Sequence, residues 1–167
     1  MAKLKSKTKK SSKRQDSKRF AYGEAIILGF TGSLGSGCTY ISNGIKTSIG
    51  INAFAYSLSD IIEKSLNKKG VTSPTIKQKQ DEGDLLRKEH GLSVLAEMCL
   101  DQIRKGQKKF DEQSVILIDG IRNTGEVRCF RAFPNFYLLS VHAPENVRRF
   151  GRRLAGRQCR GLLRRRQ

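Results

Sequence analysis

The sequence predicts an α/β fold in which a parallel sheet is covered by helices on both faces, and three observations support this. Strand-like and helical segments alternate along the 167 residues, a length that suits one domain. The strand-like segments are runs of aliphatic residues, as expected for strands that are buried on both faces. A glycine-rich turn joins the first strand to the first helix.

The predicted elements follow from the apolar patterns. Strands are predicted at residues 25–30, 51–56, 114–119 and 136–141. Helices are predicted at residues 39–49, from 57 through 66, at 75–105, at 123–130 and at 144–153, with a loop over 67–74. Gly83 and Gly91 interrupt the longest helical stretch, so two helices and one kinked helix both remain open.

The formal net charge of +18 is concentrated at the two ends of the chain. Residues 1–20 carry nine Lys or Arg and one acid, and residues 148–167 carry nine Arg and no acid. We therefore expect a domain over residues 21–153, nearly neutral over residues 21–147, between basic tails at 1–20 and 154–167. Such tails attract nucleic acid without sequence choice, and the alternative is that they are only solvated.

The cysteines and histidines lack the spacing of a zinc site, so no zinc is expected. They are Cys38, Cys99, Cys129, Cys159, His90 and His142. Scattered cysteines without a signal peptide indicate reduced thiols in a cytoplasmic protein. No apolar run approaches the roughly 20 residues that a membrane span needs, so no membrane partner is expected.

Residues 32–39 follow the pattern of a phosphate-binding loop, G-x-x-x-x-G-K-[ST], except that Cys38 replaces the lysine. The glycines would let successive backbone N–H groups face one anion, helped by the N-terminus of the next helix. The missing ammonium would otherwise reach the outer phosphates, so the loop predicts binding more strongly than catalysis. A plain tight turn is the alternative. The candidate binding residues are Gly32, Ser33, Leu34, Gly35, Ser36, Gly37, Cys38 and Thr39.

Asp119 ends the clearest strand, at the sheet edge where α/β proteins bind ligands. We expect Thr39 and Asp119 to hold Mg²⁺ that accompanies a nucleoside triphosphate or a deoxynucleotide. The alternative is that Asp119 caps the following helix.

Several segments together resemble a known family. Residues 119–127 read D-G-I-R-N-x-x-E-V, and segments 29–39, 56–60, 80–87 and 141–150 match in order. The pattern resembles deoxynucleoside monophosphate kinase-like P-loop proteins. It is still more similar to the N-terminal P-loop domain of bacterial anti-phage deoxycytidine-nucleotide deaminases, which carry a zinc deaminase domain after it.

The resemblance implies a P-loop NTPase fold and roles for several side chains. Arg87 would bind the phosphate of a monophosphate substrate and, with Asp119, would act in catalysis. The alternative for Arg87 is an ion pair with Asp84 or Asp81. Arg122 would face the same cleft, and lid arginines would lie over the phosphoryl group or simply begin the basic tail. These lid residues are Arg148, Arg149, Arg152 and Arg153.

Three hypotheses of function follow from these observations. The first is a degenerate nucleotide-binding domain that regulates a longer deaminase. The second is an active deoxynucleoside monophosphate kinase, and the third is nucleic-acid binding through the tails. Residues 154–167 contain no strand signal or deaminase signature, so we expect a sheet without its last strand and a truncated or frame-disrupted chain.

Overall fold

A parallel four-stranded sheet forms the centre of the computed structural model, which describes residues 25–106, 110 and 113–148. The strands are β1 (Ile26–Gly32), β2 (Ala53–Ser57), β3 (Val115–Ile121) and β4 (Phe136–Val141), in the order β2-β3-β1-β4. All three pairs of neighbouring strands are parallel. The four predicted strands are therefore confirmed, and β1 and β3 each extend two residues beyond their predicted ends.

Besides the helical residues 145–148, the described part of the chain has five α-helices around the sheet. They are α1 (Cys38–Ile49), α2 (Leu58–Lys68), α3 (Ile76–His90), α4 (Val94–Lys105) and α5 (Thr124–Phe130), with a 3₁₀ turn at Gly50–Asn52. The long helical stretch is two helices that meet at Gly91, whose φ of 96° ends α3. Gly83 does not interrupt α3. Residues 145–148 are helical, and the rest of the predicted helix lies outside the described residues.

The two faces of the sheet carry separate apolar cores. On one face, α1 packs against Phe30 and Leu117, with Ile45 reaching down from the helix. On the other face, α2, α4 and α5 pack against a larger cluster that includes Ile27 and Ile118. Successive residues of a strand alternate between the two cores, which explains why the strands are aliphatic throughout. The three-layer α/β arrangement predicted from the sequence is thus confirmed.

Within the part of the chain that the structure describes, no helix combines the length and the apolar character needed to cross a bilayer. The predicted basic tails, at residues 1–20 and 154–167, lie outside the described residues.

Candidate functional site

A cleft of about 640 Å³ opens at the carboxyl edge of the sheet. Its lining comes from residues 32–40, 42 and 43 in the loop after β1 and in α1, from residues 55–57, 59 and 60 around the end of β2, and from residues 119–122 at the end of β3. Parallel strands all end at this edge, and the connections that follow them form the crevice where α/β proteins hold ligands. The fold therefore brings the predicted loop and the predicted acid to one site.

The loop leads into α1 without a side-chain cap. Gly37 is the N-cap residue, has a left-handed φ of 102°, and makes no capping hydrogen bond through a side chain. The first turn of α1 holds no acidic residue. Backbone N–H groups at a helix start lack partners within the helix and carry a partial positive charge. The arrangement suits an anion at this point of the cleft.

Gly32 allows the loop to turn tightly at the end of β1. A Cβ atom built there would lie 2.5 Å from the Ser36 hydroxyl and 2.5 Å from the backbone oxygen of Val141 in β4. No larger side chain fits this space unless backbone atoms shift. The glycine is therefore required where the loop folds over the sheet.

Cys38 occupies the position where the sequence pattern has lysine. Its side chain is half-buried and contacts the apolar core beneath α1, and its Sγ lies 3.4 Å from the Ser36 hydroxyl. The thiol carries no positive charge toward the cleft. Any charge that neutralises a bound phosphate must come from elsewhere.

Thr39 and Asp119 meet across the cleft, as predicted. The Thr39 hydroxyl donates a hydrogen bond to Oδ2 of Asp119 at 2.5 Å. Asp119 is 8% exposed, and it does not cap α5, because Asn123 is the N-cap residue of that helix. A hydroxyl and a carboxylate at this distance fit the two protein ligands of a Mg²⁺ ion that completes its shell with phosphate oxygens and water.

The charges of the cleft lining also favour a metal. Among its described lining residues, Asp60 and Asp119 are acidic, and Arg122 is the one basic side chain. Two carboxylates repel a phosphate that carries no metal. A divalent cation bound near them would turn that repulsion into attraction. The predicted sites did not include Asp60 or its neighbours Tyr56, Ser57 and Ser59, although the strand-end rule that identified Asp119 applies equally to β2. Burial raises the pKa of the Tyr56 hydroxyl above its ordinary value of 10.0, and a smaller contribution comes from Cys99.

The predicted arginines separate into different environments. Arg122 is exposed and lines the cleft. Arg148 is partly buried in the helical residues 145–148 and is not part of the cleft lining, while Arg149, Arg152 and Arg153 lie outside the described residues.

Arg87 pairs with acids instead of facing the cleft. Its Nη1 donates to Asp84 at 3.1 Å, and its Nε and Nη2 both donate to Oε1 of Glu126 at 3.2 and 3.1 Å. The ion-pair alternative for Arg87 is thus observed for Asp84, and the bond to Glu126 was not expected. The sequence signal for Glu126 is its place as the fourth residue of an N-x-x-E capping box that begins at Asn123.

Comparisons with known proteins give relatives in archaea. No protein-family model matches the chain. It is 33% identical over 132 residues to a UPF0200 protein of Hyperthermus butylicus, covering 76% of this chain and 66% of the relative. UPF0200 proteins of Methanothermobacter thermautotrophicus and Methanosarcina mazei are 33% and 32% identical over 134 and 124 residues, which cover 80% and 73% of this chain.

The chain covers 62% of each of the last two relatives, so it spans less than two thirds of the length of these proteins. The relatives are not the anti-phage deaminases that the motifs resemble, and that resemblance stays a prediction. The chain is similar to UPF0200 proteins over most of its own length.

Proposed function

We propose that the cleft binds a nucleoside triphosphate or a deoxynucleotide together with Mg²⁺. The observation that carries the proposal is the start of α1, which has no side-chain cap and whose Thr39 hydroxyl donates to Asp119 in the lining of the cleft. The phosphates would accept hydrogen bonds from backbone N–H groups of the loop other than that of Ser36, which donates to the backbone oxygen of Ser33 at 2.9 Å. Arg122, which also lines the cleft, would add a positive charge. Thr39 and Asp119 would hold the metal, which supplies the positive charge that Cys38 does not.

The same proposal makes the domain a binding module with weak or absent phosphoryl transfer. The lysine of such a loop steadies charge on the outer phosphates during transfer, and a thiol cannot. Within the resemblance to anti-phage deaminases, the domain would regulate a longer deoxycytidine-nucleotide deaminase by binding a nucleotide. A cytoplasmic location belongs to this proposal, since scattered cysteines favour a reducing compartment.

Isothermal titration with a panel of nucleoside mono- and triphosphates, with and without Mg²⁺, tests the binding proposal. We expect one site that requires Mg²⁺. We also expect Asp119→Asn to weaken binding roughly 10–100-fold, since interactions with a charged group contribute about 1.5–3 kcal/mol. Asp101→Asn on α4 is the matched control, because Asp101 pairs with Arg104 outside the cleft and its loss should leave affinity unchanged. A folded chain that binds no nucleotide overturns the proposal.

Two other functions have their own tests. An active deoxynucleoside monophosphate kinase would convert a monophosphate with ATP, and Arg122 in the cleft favours that reading. Nucleic-acid binding through the tails would fall steeply with salt and disappear when residues 1–20 and 154–167 are removed. The charge of the two tails favours it.

A further inference from the structure

A fully buried carboxylate lies directly behind the cleft. Glu126, in the first turn of α5, is 0% exposed, and both of its oxygens are occupied. Oε2 accepts from the backbone N–H groups of Arg122 at 2.8 Å and Asn123 at 3.3 Å. Oε1 accepts two hydrogen bonds from Arg87. A buried carboxylate needs such donors, and Arg87 is the cation that balances its charge.

The bond to Arg122 exceeds what a helix cap requires. A capping box requires the glutamate side chain to accept only one hydrogen bond, from the backbone N–H of the N-cap residue, here Asn123. The shorter bond goes one residue further back, to the residue whose side chain lines the cleft. Glu126 therefore fixes the backbone from which the Arg122 side chain projects.

Arg87 connects this turn to α3. One turn earlier in α3, Glu82 accepts from Lys69 and from Ser65 on α2, both at 2.7 Å. The helix is thus attached at one point to α2, which follows the β2 wall of the cleft, and at another to α5, which follows the β3 wall.

The second attachment lies beside a close approach of two backbone segments. A Cβ atom built at Gly125 would lie 2.5 Å from the Cβ of Leu92, in the turn between α3 and α4. The start of α5 therefore lies against the turn that follows α3.

We infer that Arg87 is a positioning residue that acts through Glu126 to hold Arg122 in the cleft, which couples the placement of α3 to nucleotide affinity. The inference rests on the proposed function. It gives Arg87 a role without contact to substrate, in place of the phosphate contact that the family resemblance implies.

A double-mutant cycle tests the inference. The affinity for ATP with Mg²⁺ is measured by calorimetry for the full chain and for Arg87→Met, Arg122→Ala and the double variant. We expect Arg87→Met to weaken binding about 10-fold in the natural background and less than 2-fold when Arg122 is already alanine, since residues in one network are not additive. Arg104→Met is the matched control, because it breaks an exposed arginine–aspartate pair on α4.

The inference is overturned if the double variant loses affinity by the product of the two single-variant factors. It is also overturned if Arg87→Met binds ATP as tightly as the natural chain. If Arg87→Met does not fold, Arg87→Lys and Glu126→Gln replace it in the same cycle. A separate readout needs no nucleotide: the Arg122 amide proton should shift upfield and exchange faster in Glu126→Gln. A wild-type chain that binds no nucleotide contradicts the proposed function, whereas binding with an additive cycle contradicts only this inference.

Discussion

At the scale of single residues, position 38 decides how much charge the loop offers to a phosphate. The Cys38 side chain contacts the apolar core under α1, and its sulfur lies beside the Ser36 hydroxyl. The loop backbone and the helix start contribute only partial charges, whereas an ammonium would contribute a full one. If the proposed function is correct, nucleotide affinity would therefore depend on the loop backbone, on the metal and on Arg122.

A lysine at position 38 should restore the missing interaction. We expect Cys38→Lys to tighten ATP binding about 10-fold, which corresponds to about 1.4 kcal/mol, and we expect the gain to shrink as salt is raised. Calorimetric titration measures both. Cys38→Ala removes the thiol without adding charge, and Thr47→Lys adds the same charge at an exposed position on α1 outside the cleft. Equal affinity in Cys38→Lys and Thr47→Lys would mean that the turn does not face the nucleotide.

Gly32 gives a second test at this scale. We expect Gly32→Ala to destabilise the fold by about 1–3 kcal/mol, because its Cβ would clash with backbone of β4 and with Ser36. Gly44→Ala is the control within α1, where a Cβ meets nothing within 4 Å, and it should stabilise by about 0.5–1 kcal/mol. Urea unfolding monitored by circular dichroism measures both. Equal stability of the two variants would contradict the tight approach of the loop to β4.

At the scale of elements, α3 is held against α2 by a buried acid. Glu82 is 6% exposed and accepts hydrogen bonds from Lys69 and Ser65. The bond from Lys69 lowers the pKa of Glu82 most, burial opposes this, and the bond from Ser65 lowers the pKa further. The net shift is downward, so the ionised carboxylate is the form that stabilises the helix pair.

The hydrogen bonds of Glu82 with Lys69 and Ser65 predict that the stability of the fold depends on pH. Because the folded-state pKa of Glu82 is below its ordinary value of 4.5, its contribution is fully present above that pH. The contribution is lost as the pH falls through the folded-state pKa. We expect Glu82→Gln to be less stable than the natural chain at pH 7, and the difference to shrink toward pH 3. Urea unfolding midpoints across this pH range measure the difference in stability. A difference that stays constant with pH would contradict a stabilising role of the ionised Glu82 carboxylate.

At the scale of the whole molecule, the sequence predicts the three-layer α/β fold and, within the cleft, the loop after β1 and Asp119. The strands could be identified because both of their faces are buried, which leaves aliphatic runs such as residues 115–118. Thr39 and Asp119 could be paired because the loop and the strand end share the carboxyl edge of the sheet. The contact between Arg87 and Glu126 could not be predicted, since 39 residues separate them and only the tertiary arrangement, in which α3 and α5 both pack against α4, brings them together.

The division of the long helical segment shows the same limit. Gly83 and Gly91 are equivalent as helix breakers in the sequence, but only Gly91 ends a helix. Gly83 is buried in α3, where a Cβ would lie 3.0 Å from Ile62 of α2. Tertiary contact explains this glycine, and local propensity does not.

The backbone amides of the loop provide the most direct test of the central claim, that an anion binds between β1 and α1. In a nitrogen–proton NMR titration of the full chain with ATP and Mg²⁺, we expect the amide signals of residues 33–39 to shift together and to saturate with one affinity. We expect the signals of the α4 residues to stay in place. Saturating binding that shifts only the basic tails, with the loop signals unchanged, would contradict the account.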